Sequence, residues 1–195
     1  MKVLRTPEER FKNLPGYPFE PNYIEDLQGY ENLRIHYVDE GSKESDIVFL
    51  CLHGEPSWSY LYRKMIPIFV EAGYRAVAPD LFGFGKSDKP VEDESYSYNF
   101  HRNAVINFVK YLDLKNIAIV CQDWGGIIGL TLPLEMPERI TRLLIMNTFL
   151  PASESELPSG FLKWAKYNNT QPDLAIGAGL AHSIPFLSEE ETAAY

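Results

Sequence analysis

Hydrophobic positions along the chain fall into short, nearly continuous apolar runs that alternate with segments of helical spacing. Leu33–Val38 and Ile47–Leu52 read as two strands, the second apolar throughout. Tyr60–Glu71 carries apolar residues at helical spacing and meets a stop signal at Gly73. Arg75–Ala78 is predicted as a third strand, closed by Pro79-Asp80. A glycine-rich loop leads to an amphipathic helix at Phe100–Leu112, with Val105, Phe108, Val109 and Leu112 on one face. Asn116–Val120 is again a strand. It runs through a sharp turn into a helix at Gly125–Leu134, and Arg142–Met146 is the last predicted strand. Apolar strands separated by helices imply a mostly parallel sheet with helices on both faces, so the predicted class is α/β.

From Pro151 the pattern changes. Pro, Ser, Glu and Gly dominate Pro151–Gly160, and the stretch to Tyr195 has helical spacing without a strand. The expected organisation is the N-terminal part of an α/β core over residues 1–150 and the start of a helical cap over 151–195.

Composition narrows the partners. The net charge of −9 repels nucleic-acid phosphates, and no basic stripe offsets it. The longest apolar run, Ile47–Leu52, is far short of the roughly 20 residues that span a bilayer. The opening MKVLRTPEER lacks the apolar region of a secretory signal, so a cytoplasmic protein is expected. Cys51 and Cys121 lie inside strand patterns and do not suggest a disulfide framework. His36, His53, His101 and His182 are scattered, and no metal-binding spacing occurs.

Ile119–Gly126 carries the chemistry. It reads I-V-C-Q-D-W-G-G and sets Asp123 on a strand-to-helix turn flanked by the small residues Cys121 and Gly125. That is a nucleophile elbow with Asp in place of the usual Ser and Cys in place of the first Gly. A helix N-terminus behind it favours a carboxylate. An N-cap is the plain alternative for such an Asp. The agreement of strand, turn and helix with the other motifs favours a catalytic role. A carboxylate needs no base to attack saturated carbon; hydrolysis of the resulting ester does need one.

His53-Gly54-Glu55-Pro56 follows the second strand directly, where this plan supplies one oxyanion-hole N–H, the other coming from the residue after the nucleophile. The donors are then the backbone N–H groups of Glu55 and Trp124, and His53 is read as structural. Gly85-Lys86-Ser87 imitates the end of a phosphate loop, but that motif requires Gly at position 80, which is Asp80.

Taken together, HGEPSWSYLYR, PDLFGFGKSDKP and VCQDWGG strongly resemble the haloalkane dehalogenases of the α/β-hydrolase fold, over nearly all of residues 3–195. The resemblance implies hydrolysis of small haloalkanes to alcohol and halide through an ester on Asp123, with water and no cofactor. Activity of that kind would serve detoxification. Trp124 is the first halide ligand. One branch of the family uses an Asn after His-Gly as the second; here that position is Glu55. The other branch uses a cap Trp, and Trp164 sits where it is expected. That branch has no carboxylate after strand six, and position 147 is Asn147. In the family the base His and the triad acid follow the cap, beyond residue 195, so the chain is expected to end within the cap and lack both. Two rival readings are an epoxide hydrolase on the same Asp123, with Tyr167 and Tyr195 as candidate proton donors, and a non-catalytic fragment.

Overall fold

The structure is a computed structural model that describes residues 1–150, 157–171 and 173–195. In chain order the strands are β1 (Val3–Leu4), β2 (Asn22–Ile24), β3 (Ile35–Glu40), β4 (Val48–Leu52), β5 (Arg75–Pro79), β6 (Lys89–Pro90), β7 (Ile117–Gln122) and β8 (Ile140–Met146). The helices are α1 (Ile66–Glu71), α2 (Tyr98–Tyr111), α3 (Trp124–Gly129), α4 (Leu132–Glu135), α5 (Ser159–Thr170), α6 (Ile176–Ser183) and α7 (Glu189–Ala193). Six strands form one sheet in the order β2-β3-β5-β4-β7-β8; β1 and β6 pair separately. The β5-β4-β7-β8 pairings are parallel, and β2 and β3 continue the sheet antiparallel.

The continuous apolar strands are explained by two cores, one on each face. Leu50, Leu52, Ile117, Ile119 and Cys121 join Ala104, Val105, Phe108 and Val109 of α2 in one cluster. Their alternates Cys51 and Val120, with Val38, Ala76 and Ala78, join Ile66 of α1 and Tyr62 in the other. Neighbouring residues of a strand point to opposite faces, so a strand covered on both sides must be apolar at every position. Cys51 and Cys121 therefore lie in different clusters, both free and buried.

Two predicted helices are broken, for one reason. The chain over Tyr60–Glu71 makes a 3₁₀ turn at Ser59–Tyr62 and starts its α-helix only at Ile66, with Pro67 in the first turn. Gly125–Leu134 divides into α3 and α4, with Pro133 in the first turn of the second. Proline has no N–H to donate and is tolerated only there, so each Pro restarts the helix instead of continuing it. Helix α2 begins two residues earlier than its apolar pattern, because the Ser97 side chain caps it by accepting from the Phe100 N–H. The boundary predicted between residues 150 and 151 and most of Pro151–Gly160 lie outside the described residues. Beyond them α5, α6 and α7 are helical, and neither α5 nor α6 has a buried residue.

Candidate active site

Strands β4 and β7 run side by side at the centre of the sheet, with Leu52 opposite Cys121. The loop after β4 and the turn after β7 therefore emerge together. Asp123 occupies that turn with φ 53° and ψ −127°, a conformation that L residues rarely adopt. The surroundings hold it. Its N–H donates to the Asn147 carbonyl at 3.2 Å, and its carbonyl accepts from the Gly126 N–H at 2.9 Å and the Thr148 hydroxyl at 2.7 Å.

Three glycines make the approach possible. A Cβ on Gly125 would be driven into the Leu52 carbonyl, and one on Gly126 into Thr148. A Cβ on Gly54 would collide with the Asp123 carboxylate and the Trp124 nitrogen. The backbone of the β4 loop thus lies directly against the elbow, and the Glu55 N–H donates to Asp123 Oδ1 at 2.8 Å. The Trp124 N–H stands on the first turn of α3 beside the same carboxylate, where helical N–H groups have no partner within the helix. Helix α3 is only six residues long, so the directly bonded Glu55 N–H matters more than a helix dipole.

A cavity of about 490 Å³ opens in front of this pair, walled by Gly54, Glu55, Leu81, Phe84, His101 and Trp124 among others. The Trp124 side chain is 43% exposed. Trp164 lies elsewhere: it lines a second cavity with Glu55, Pro56 and Tyr167, and its ring packs on Phe161 at 5.7 Å. The two indoles expected to share one anion therefore face separate cavities, which have Glu55 in common. Tyr195 lies in a third, where its hydroxyl accepts from Arg63.

The histidines differ sharply. His53 is fully buried; the Leu81 N–H donates to its Nε2 at 2.9 Å and its Nδ1 donates to the Gly54 carbonyl at 3.0 Å, so neither nitrogen is free. Burial pushes its pKa down. His36 bonds through Nδ1 to Asp80 Oδ2 at 2.7 Å. Asp80 also accepts from the Ser59 and Lys86 N–H groups, and despite its burial the neighbouring His36 holds its pKa near about 2. The side chain at the position where a phosphate loop requires glycine is thus the buried anchor of the Leu81–Lys86 turn. His101 reaches the first cavity. Its Nδ1 is buried with no partner among the described residues, and burial lowers its pKa to about 4. Nothing in the sequence marked His101 as a cavity residue, because its place depends on how α2 packs in the folded chain, where it meets α3. Among the described residues no cluster of His, Cys, Asp or Glu could hold a metal, and no helix is long and apolar enough to cross a membrane.

The chain is similar to known proteins along its whole length. A haloalkane dehalogenase of Psychrobacter cryohalolentis is 48% identical over all of this chain, which covers 65% of that protein. The solved structure of the tetrameric haloalkane dehalogenase DpaA from Paraglaciecola agarilytica superposes with a TM-score of 0.97 at 52% identity, covering 100% of this chain and 65% of the other. An epoxide hydrolase of Vigna radiata follows at 27% identity and a TM-score of 0.64, over 85% of this chain and 53% of its own. The chain thus spans about 65% of the length of the dehalogenases it matches. The family model for the alpha/beta hydrolase fold matches residues 47–189, which include the β4 loop, the Asp123 elbow and helices α5 and α6. The chain belongs to the alpha/beta hydrolase fold family.

Proposed function

We propose that this chain carries the nucleophile half of a hydrolytic haloalkane dehalogenase. The observation that carries the reading is the strained Asp123, its carboxylate held 2.8 Å from the Glu55 N–H and followed by Trp124 at the cavity wall. The named dehalogenases at 48% and 52% identity support it further.

In this reading an Asp123 oxygen attacks the halogen-bearing carbon. The new C–O bond forms as the carbon–halogen bond breaks, and the electron pair leaves with the halide. Indole N–H groups are donors only, so Trp124 can stabilise the departing anion without competing as a nucleophile. Trp164 is the second donor, brought in by movement of α5. Water then adds to the ester carbonyl, and the oxyanion that develops accepts from the Glu55 and Trp124 N–H groups. Collapse releases the alcohol and restores the carboxylate. The substrates are small alkyl halides and water, the products alcohol and halide, and a cytoplasmic detoxifying role fits them. Residues 1–150 form the core side of the site and 151–195 its cap.

The family resemblance assigns ester hydrolysis to a His and an acid in the part of the relatives that this chain does not match. Incubation of the 195-residue chain with 1-bromobutane, followed by intact mass measurement, tests the reading. A butyl ester should accumulate on the parent, with at most one bromide released per chain, and neither product should form with Asp123→Asn. An adduct on Asp123→Asn would remove Asp123 as nucleophile. Sustained turnover would mean that a histidine of this chain serves as base. His101 would then be the one to substitute, since His36 and His53 are already bonded and His182 is exposed on α6 and lines none of the three cavities.

The epoxide-hydrolase reading draws on Tyr167, which lines the cavity of Trp164. Identity of 27% against 52% favours the dehalogenase.

A further inference from the structure

The Glu55 side chain has no place in the mechanism above, and the residue, which is exposed, lies where the cavities meet. Its backbone N–H bonds the Asp123 carboxylate, and the residue lines all three cavities, including those of Trp124 and Trp164. It is also alone. Asp39, Asp80, Asp88 and Glu191 are each paired with Arg75, His36, Arg5 and Arg63 at 2.6–2.7 Å. No basic side chain among the described residues lies within 4.0 Å of the Glu55 carboxylate.

An unpaired carboxyl group beside an anion site is costly when ionised, and the cost rises when the anion arrives. We propose that Glu55 sets how long halide stays: ionised, it opposes the bound halide and hastens its release, and protonated by solvent, it lets the halide remain. The proposal rests on the halide reading of the site. Desolvation, followed by the charge of Asp123, already pushes the Glu55 pKa upward, and a halide would push it further, so halide and proton bind together.

Other groups facing these cavities are Asp123 on the elbow, His101, Tyr96 and Tyr98 in the first, Tyr167 in the second, and Arg10, Lys89 and Tyr195 in the third. Lys89 is committed to the Gly85 and Ser87 carbonyls. His101, with a pKa of about 4, changes little above pH 5. Asp123, which accepts from the Glu55 N–H, is the other carboxyl group at this site.

Bromide quenching of tryptophan fluorescence, at ionic strength fixed with sulfate, separates the two. Bromide affinity of the parent should fall by about tenfold between roughly pH 5 and pH 8, the size expected for two charges at the mouth of a solvated site. Glu55→Gln, close in shape and with the same backbone N–H, should bind bromide at the tighter value across the range. The parent should also take up protons as bromide binds in weakly buffered solution, and Glu55→Gln should not. A pH-independent parent overturns the proposal while leaving the halide site standing. So does a pH dependence that persists in Glu55→Gln and disappears in Asp123→Asn. Absence of quenching in both proteins at every pH overturns the proposal together with the halide reading.

Discussion

The elbow and the helical segment that follows residue 156 are built on different principles. Around Asp123 the backbone has no spare room: Gly54, Gly125 and Gly126 each sit where a single added carbon would strike a neighbour. In α5 and α6 no residue is buried, and Phe161, Leu162, Trp164 and Tyr167 are exposed on one helix. The segment is fastened mainly at α7. There Glu191 meets Arg63 at 2.7 Å, the Trp58 indole donates to the Ala194 carbonyl at 2.9 Å, and Tyr195 packs on Tyr60. The Asp123 carboxylate is thus fixed by backbone packing, whereas Trp164 lies on a helix with no buried residue. That division suits a site whose chemistry must be positioned closely and whose substrate must enter and leave.

One substitution made in both regions gives the widest contrast. Gly125→Ala forces a Cβ into the Leu52 carbonyl on the central strand, where nothing can yield. We expect a loss of at least about 3 kcal/mol, seen as insolubility or a large drop in the urea midpoint. Gly179→Ala adds the same carbon inside α6, where no atom lies within 4 Å. There the change should favour the helix by roughly 0.5–1 kcal/mol. Equal effects at the two sites would erase the distinction between a packed elbow and an open α6.

The indoles offer a smaller and more local test. Trp124 belongs to the elbow, and Trp124→Phe removes one charge-assisted hydrogen bond worth roughly 1.5–3 kcal/mol. Bromide affinity should fall about tenfold or more. Trp164 faces another cavity, so in the proposed reading it contributes only where α5 has moved inward. Trp164→Phe should therefore weaken bromide by roughly threefold, in proportion to that closed fraction. Equal losses would mean that the cap closes fully around the anion. No loss at Trp164 would remove it as a halide ligand.

The same division marks what was legible in the sequence. Strands β3, β4, β5 and β7 could be read because a sheet buried on both faces leaves long apolar runs, and β4 and β7 are apolar in both cores; β8 carries the same apolar pattern although Leu143, Leu144 and Ile145 are exposed. Strand β2, three residues with a polar Asn22, leaves no such run; its antiparallel pairing with β3 supplies the order. Apolar spacing overran the helix limits at Pro67 and Pro133, where periodicity conceals a missing N–H. The elbow was legible because its constraints are local: small residues, a turn and a reactive side chain adjacent in sequence. The Glu55–Asp123 contact joins residues 68 apart and was reached through the motif plan, not through the spacing. How Trp164 and Trp124 sit relative to each other, and that His101 reaches the cavity, depend on packing between elements that no short motif records.

The α7 fastening gives the smallest effect, and one with a definite pH sign. Glu191 accepts from Lys64 at 2.9 Å and from Arg63, and its carboxyl also closes a capping box with Ser188. Hydrogen bonds from Lys64 and Arg63 hold its pKa down to about 2. A folded-state pKa below the unfolded value means the contribution is fully present above about pH 4.5 and is lost as pH falls toward 2. Lys64 is 69% exposed, so that half of the pairing is screened and the effect is modest. Arg63 is buried, and its release from a charged partner should loosen α7 before the sheet unfolds. With Trp124 and Trp164 both changed to Phe, Trp58 alone reports, through its bond to the Ala194 carbonyl. Its emission should shift in acid ahead of the loss of far-ultraviolet circular dichroism. Asp80, whose pKa is also about 2, bonds the Ser59 N–H beside Trp58 and contributes an acid signal of its own. Glu191→Gln separates the two, because Gln can keep the capping box while abolishing the charge that titrates. In that variant the early shift should vanish, with Trp58 already partly released at neutral pH and only the Asp80 signal remaining in acid. An unchanged acid profile in Glu191→Gln would show that α7 is held by Trp58 and Tyr195 instead, and that its anchor is aromatic packing and not charge.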